Sequence, residues 1–251
     1  MEIIPAIDIL EGRCVRLYQG NYQQAEVFSD DPLAVARRWY EEGAHYLHVV
    51  DLDGARSGEP QNLKVIEAIA RSVPVHVQVG GGLRSRNAIM AVLATGVSRV
   101  ILGTIAVEAP QLVADICGEF PGQVLVSIDA KNGKVATQGW LHTSEVHATD
   151  LAQRLATIGI AGIIYTDIQR DGTLQGPNLE QLRQLATAVD VPIIASGGIS
   201  TVQDLLDLLT LEPLGVSGAI IGKALYSGDL DLRTAIRAVR YQDVTIDRGW
   251  A

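Results

Sequence analysis

Halfway along, the chain repeats itself. Pro5-Ala6-Ile7-Asp8 followed by Gly12 returns 121 residues later as Val126-Ser127-Ile128-Asp129 followed by Gly133. Asp51, Asn62-Leu63 and Gly81-Gly82 return as Asp167, Asn178-Leu179 and Gly197-Gly198, each 116 residues on, and Gly103 returns as Gly222 after 119. Self-similarity at half the chain length implies two copies of one supersecondary array, about 1–121 and 122–251. A site built by one copy then has a counterpart built by the other.

The array itself reads as alternating units. Short apolar runs at 2–8, 46–51, 75–79, 99–102, 124–129, 162–167, 192–196 and 218–221 predict eight strands. Amphipathic patterns at 32–42 (Leu33, Ala36 and Tyr40 on one face), 63–70, 86–94, 151–158, 179–188 and 202–209 predict helices between them. Strict alternation implies parallel strands with crossover helices. Hydrophobic residues make up 47% of the chain and aromatic ones only 5%, which suits strands buried on both faces. With 251 residues, no linker and copies repeating after four units, the expected α/β fold is one (β/α)8 barrel domain over 1–251, built from two half-barrels. An open doubly wound sheet is the alternative.

The net charge of −9 disfavours nucleic acid or an anionic membrane as the main partner. It leaves a phosphorylated small molecule open, because helix N-termini make local anion sites at any global charge. No apolar run nears the roughly 20 residues of a membrane span, and Glu2 and Asp8 stand where a signal peptide carries lysines. A cytoplasmic protein is expected. Cys14 and Cys117 lack CxxC spacing and read as reduced thiols. His45, His76, His142 and His147 lack metal-ligand spacing, so no metal is expected.

In such a barrel the reactive groups sit where strands end. Asp8 and Asp129 close the first and fifth strands, which face each other, and two opposed carboxylates can act as general base and general acid. Each could instead cap a helix or pair with a cation, but aspartate is disfavoured in strands, which favours chemistry. For Asp51 and Asp167, crowded by Asp53, Arg56, Arg170 and Asp171, hydrogen bonds that hold the loops are at least as good a reading. The run Val79-Gly80-Gly81-Gly82-Leu83-Arg84-Ser85 is a strand, a glycine turn and a helix start, and Ser196-Gly197-Gly198-Ile199-Ser200-Thr201 repeats it. Glycine there lets backbone approach an anion, although a glycine pair can also merely ease a turn. Gly103-Thr104 and Gly222-Lys223, after the next strands, complete two opposed phosphate pockets. Such a mouth fits an elongated substrate with a phosphate at each end. His48 reads equally as a core histidine or a ligand contact, and Trp140 as a loop anchor or a platform for a planar ring. The polar stretch from Gly12 to Asp31 reads as a lid or a disordered insertion.

Several strings together resemble a known family. Ile4-Pro5-Ala6-Ile7-Asp8-Ile9 with Val15-Arg16-Leu17, His48-Val49-Val50-Asp51-Leu52-Asp53-Gly54-Ala55, Val79 to Arg84, and Thr166-Asp167-Ile168 leading through Arg170-Asp171-Gly172-Thr173 to Gly176-Pro177-Asn178 resemble the phosphoribosylformimino-aminoimidazole carboxamide ribotide isomerases of histidine biosynthesis. The resemblance spans essentially the whole chain. It implies a (β/α)8 barrel and a cofactor-free Amadori rearrangement of a bisphosphorylated aminoaldose; a monomer is expected. It makes Asp8 the base that removes the C2 proton, Asp129 the acid that assists ring opening, and Thr166 the hydroxyl that supports the opened sugar. Asp171 matches an acidic residue given the acid role in some relatives. Arg16, His48 and Trp140 fall where relatives contact substrate, and Arg84 and Gly172 lie inside the matched strings. The sister cyclase subunit of imidazole glycerol phosphate synthase fits less well, having a lysine where Arg16 stands and lacking the His48 to Gly54 run. In dual-substrate isomerases an arginine often stands where Gln138 does. A non-catalytic phosphate-binding barrel would have no call on both Asp8 and Asp129.

Overall fold

The computed structural model describes residues 1–137, 139–140 and 142–246, and side chains as far as 241; Gln138 lies outside the described residues. The strands are β1 (Glu2–Leu10), β2 (Arg13–Tyr18), β3 (Asn21–Ser29), β4 (Tyr46–Asp51), β5 (His76–Gly80), β6 (Arg99–Leu102), β7 (Val124–Lys131), β8 (Lys134–Thr137), β9 (His142–His147), β10 (Gly162–Asp167), β11 (Ile193–Ser196) and β12 (Val216–Ile221). Eight of them pair in parallel in the order β1-β4-β5-β6-β7-β10-β11-β12, and Ile4 beside Ile220 joins β12 back to β1. The sheet is a closed barrel, which excludes the open alternative.

Alternation along these strands makes two apolar layers. Ile4, Ala6, Ile101, Leu125, Ile164, Ile194 and Ile220 fill the inside. Their neighbours one step along, such as Ile3, Ile7, Val100, Val126 and Ile163, belong to the outer core against the helices. The eight barrel strands are therefore packed on both faces, which is why they read as apolar runs.

The helix Pro32–Glu41 shows the local logic. Asp31 accepts from the N–H groups of Leu33 and Ala34, each at 3.0 Å, and Pro32 occupies the first turn, where no N–H is needed. Its buried face is Pro32, Ala36 and Trp39, not the expected Leu33, Ala36 and Tyr40. The Trp39 indole takes the inner place because it packs edge-on against Tyr226, with ring centroids 5.5 Å apart, which leaves Tyr40 43% exposed.

The stretch from Gly12 to Asp31 is no disordered insertion. After β1 the chain doubles back as β2 and β3, both antiparallel, and after β7 it does the same as β8 and β9. Glu11-Gly12 and Asn132-Gly133 make the two reversals, each with both residues at positive φ (51° and 75°, 51° and 76°), as a two-residue hairpin turn of type I′ requires. The Gly12 and Gly133 echo marks these twin turns. No described helix is long and apolar enough to cross a membrane.

Candidate active site

The C-terminal ends of the barrel strands open into a cavity of about 260 Å³. Every residue assigned above to catalysis or binding lines it, while Asp51 and Asp167 do not.

Asp8 enters from β1. Arg16 Nη1 donates to its Oδ2 at 2.7 Å, and Arg16 Nη2 donates to the carbonyl of Ala6. The guanidinium lies 4.8 Å from the centre of the Tyr226 ring, whose hydroxyl donates to the same carbonyl at 2.8 Å. Burial pushes the Asp8 carboxyl above its usual range, and the charge and hydrogen bond of Arg16 pull it back. A Cβ on Gly222 would stand 2.8 Å from Arg16 Cζ. Glycine at 222 therefore makes room for Arg16, a purpose the sequence reading did not give it.

Asp129 faces inward from β7. The β7–β10 register sets Thr166 beside it, and Thr166, Trp140 and Ser127 hydrogen-bond its carboxylate, against the upward push of burial. Trp140, at φ 70°, also covers Gly20 at the tip of the β2–β3 hairpin, where a Cβ would come within 2.5 Å of the indole. The residue thus anchors one hairpin to the other while bonding the site carboxylate.

Asp171 follows β10. Burial and the negative charges of Asp8 and Asp129 raise its pKa to about 7, against the pull of Arg16 and Lys223. Around neutral pH one carboxyl of the three can hold a proton.

The other two aspartates hold loops. Asp51 accepts from the N–H groups of Gly54 (2.8 Å), Gln61 (2.7 Å) and Asn62 (2.9 Å) and from Asn62 Nδ2 (2.7 Å). Asp167 accepts from Gln169 N–H (2.9 Å) and Asn178 Nδ2 (2.7 Å). The glycine pairs pack beneath these clamped loops. Gly81 and Gly198 have φ of 106° and 83°, and a Cβ would lie 2.1 Å from the Asp51 carbonyl oxygen and 2.2 Å from that of Gly176. Loop stacking alone thus requires glycine there, whatever the backbone also offers an anion. Gly103 and Gly222 share one unusual conformation (φ −103°, ψ −97° and φ −107°, ψ −101°) ahead of short helices. At one end Arg84 donates to the carbonyl of Ala55 at 2.8 Å, and at the other Lys223 donates to that of Gly172 at 3.1 Å.

His48 lines the cavity floor, and Gln78 Nε2 lies 3.2 Å from its Nδ1. Burial and the neighbouring Arg16 push its pKa down to about 3, so the ring is neutral. Ser127, Tyr22 and Tyr226 also belong to the surroundings of the site and escaped the sequence reading. Ser127 sits two residues before Asp129 on the same strand face, a spacing that could have flagged it. Tyr22, whose hydroxyl donates to the Leu52 carbonyl at 2.9 Å, and Tyr226 carry no comparable signal. Among the described residues, no group of three or more His, Cys, Asp and Glu side chains is placed to hold a metal ion.

The histidine biosynthesis protein family model matches residues 2–231. A relative from Gloeothece citriformis, named 1-(5-phosphoribosyl)-5-((5-phosphoribosylamino)methylideneamino)imidazole-4-carboxamide isomerase, is 64% identical over 99% of this chain and 98% of its own length. Relatives of the same name from Rippkaea orientalis and a Synechocystis strain are each 62% identical, over 98% and 97% of this chain and 97% and 96% of their own. The chain belongs to this family. The family match takes in both hairpins and every residue lining the cavity.

Proposed function

We propose that this chain is the isomerase its relatives are named for, converting the bisphosphorylated aminoaldose of histidine biosynthesis to the aminoketose by an Amadori rearrangement. The observation that carries the reading is the set of three unlike carboxyls in one cavity: Asp8 ion-paired to Arg16, Asp129 bonded by neutral donors, and Asp171 near pKa 7. An acid on the Asp129 and Asp171 side protonates the ring oxygen as the nitrogen lone pair opens the aminoaldose to a protonated imine. Asp8 then removes the C2 proton, the C2–H electrons form the C1=C2 bond, and the C1=N electrons return to nitrogen to give a neutral enaminol. Protonation at C1 and loss of the hydroxyl proton yield the ketone. No outside oxidant or cofactor enters the balance. Asp171, raised to about 7, is a proton source at neutral pH; burial also raises Asp129, which its bonds with Thr166 and Trp140 fix toward the opening sugar.

Gly81, Gly82, Arg84, Gly103 and Thr104 hold one phosphate, and Ser196, Gly197, Gly198, Gly222 and Lys223 the other, with Gly172 beside the second. The whole site lies within one chain, which supports a working monomer and a single barrel domain of two like halves; the chemistry suits the cytoplasm. A steady-state assay with the bisphosphorylated aminoaldose should show turnover, and phosphoribosylanthranilate should give little. Asp8→Asn should lower turnover by at least roughly 10²–10⁴-fold, the range for lost acid–base catalysis, with the fold left intact. Near-normal turnover in Asp8→Asn would sink the mechanism.

A further inference from the structure

Gln78 is polar, has no exposed surface, and lies inside the barrel on β5, two residues before the cavity-lining Gly80. Among the described residues, the single hydrogen-bond contact of its side chain is with His48, its direct register partner on β4. Its Oε1 is buried without a partner among the described residues. The duplication supplies a control for this pair. Carried 116 residues on, His48 and Gln78 become Ile164 and Ile194, which are also direct register partners, on β10 and β11, and both belong to the apolar interior. A plain apolar pair thus closes the barrel at the matching place, and the polar pair brings an unpartnered carbonyl into the interior. Packing does not account for it.

We propose that Gln78 is a positioning residue: it donates to Nδ1 of His48, holds the imidazole as the neutral Nε2–H tautomer, and so presents a hydrogen-bond donor to an oxygen of the bound sugar phosphate. The reasoning is geometric. Nδ1 is taken inside the wall, so Nε2 is the ring nitrogen left for the ligand, on the neighbouring strand level with Ala6 and two residues below the Asp8 level. A carboxylate at 78 would do the opposite, accepting from Nδ1–H and leaving Nε2 as an acceptor. The amide therefore fixes which sign of partner His48 offers. The ligand's identity rests on the isomerase reading; the tautomer does not.

The test uses the full chain labelled with 15N-histidine, with long-range 15N–1H correlation reading the tautomer of each ring. The double variant His48→Ile, Gln78→Ile, which copies the pair already folded at 164 and 194, identifies the His48 signals by their loss. The expected result is an Nε2–H pattern for His48 in the free protein and its loss or mixing in Gln78→Met. In Gln78→Met, KM for the bisphosphorylated aminoaldose should rise about tenfold or more with kcat largely kept, the sign of lost ground-state binding; the double variant should bind at least as poorly. An Nδ1–H pattern in the unsubstituted protein overturns the proposal, as does an unchanged KM in either variant. Should the unsubstituted protein fail to turn over that substrate, the functional reading falls and the 15N spectra still decide the tautomer.

Discussion

Asp171 joins stability to pH in a direction opposite to most carboxylates. In the unfolded chain its pKa lies near the reference value of about 3.9; in the folded site it is about 7. Between those values the folded state binds more protons than the unfolded one, so stability falls as pH rises through this window. The contribution is whole below about pH 4 and gone above pH 7. Asp171→Asn, neutral throughout, should match the parent near pH 4 and melt higher by a few degrees at pH 8. If Asp171 donates the proton, kcat should also fall above pH 7 in the parent, with an apparent value shared by the coupled carboxyls. A melting advantage independent of pH, measured by calorimetry from pH 4 to 8, would refute the assignment. None of this was readable from residue 171 alone. Its environment comes from Asp8 and Asp129, more than 100 and 40 residues away in the chain, whereas Asp8 and Asp129 announced themselves as carboxylates set in apolar strand ends.

At the level of elements, the barrel strands were legible because burial on both faces leaves an uninterrupted apolar run. All eight expected runs contain barrel strands, with ends shifted by a residue or two. The accessory hairpins were not legible. β3, Asn21–Ser29, is mostly polar and half exposed, and it is held by pairing to β2 rather than by an apolar face. The glycine pairs were found, but their main structural demand was hidden, since it comes from the backbone of a neighbouring loop. That demand predicts a contrast. Gly198→Ala would meet the Gly176 carbonyl, whereas Gly228, at nearly the same φ of 82°, has open space around its missing Cβ. Gly228→Ala should cost about 1–2 kcal/mol from the left-handed backbone; Gly198→Ala should cost that plus roughly 1–3 kcal/mol of overpacking, and should raise KM. Equal unfolding free energies by urea titration would contradict this account.

Across the whole molecule, the two halves supply matching grips at opposite edges of one mouth. A ligand carrying only one terminal phosphate should therefore bind at least about tenfold more weakly than one carrying both, by isothermal titration; equal affinities would remove the two-grip reading. The halves are not interchangeable, however. Lys223 stands where the first half has Thr104, Ser196 where it has Gly80, and Ile164 where it has His48. A mouth with near two-fold symmetry admits a two-headed guest in two orientations, and only one sets the scissile C2–H bond against Asp8. Unlike residues at matching places give the mouth a head and a tail. On this view the divergence of the copies is what keeps the guest from docking backwards and idling as its own inhibitor.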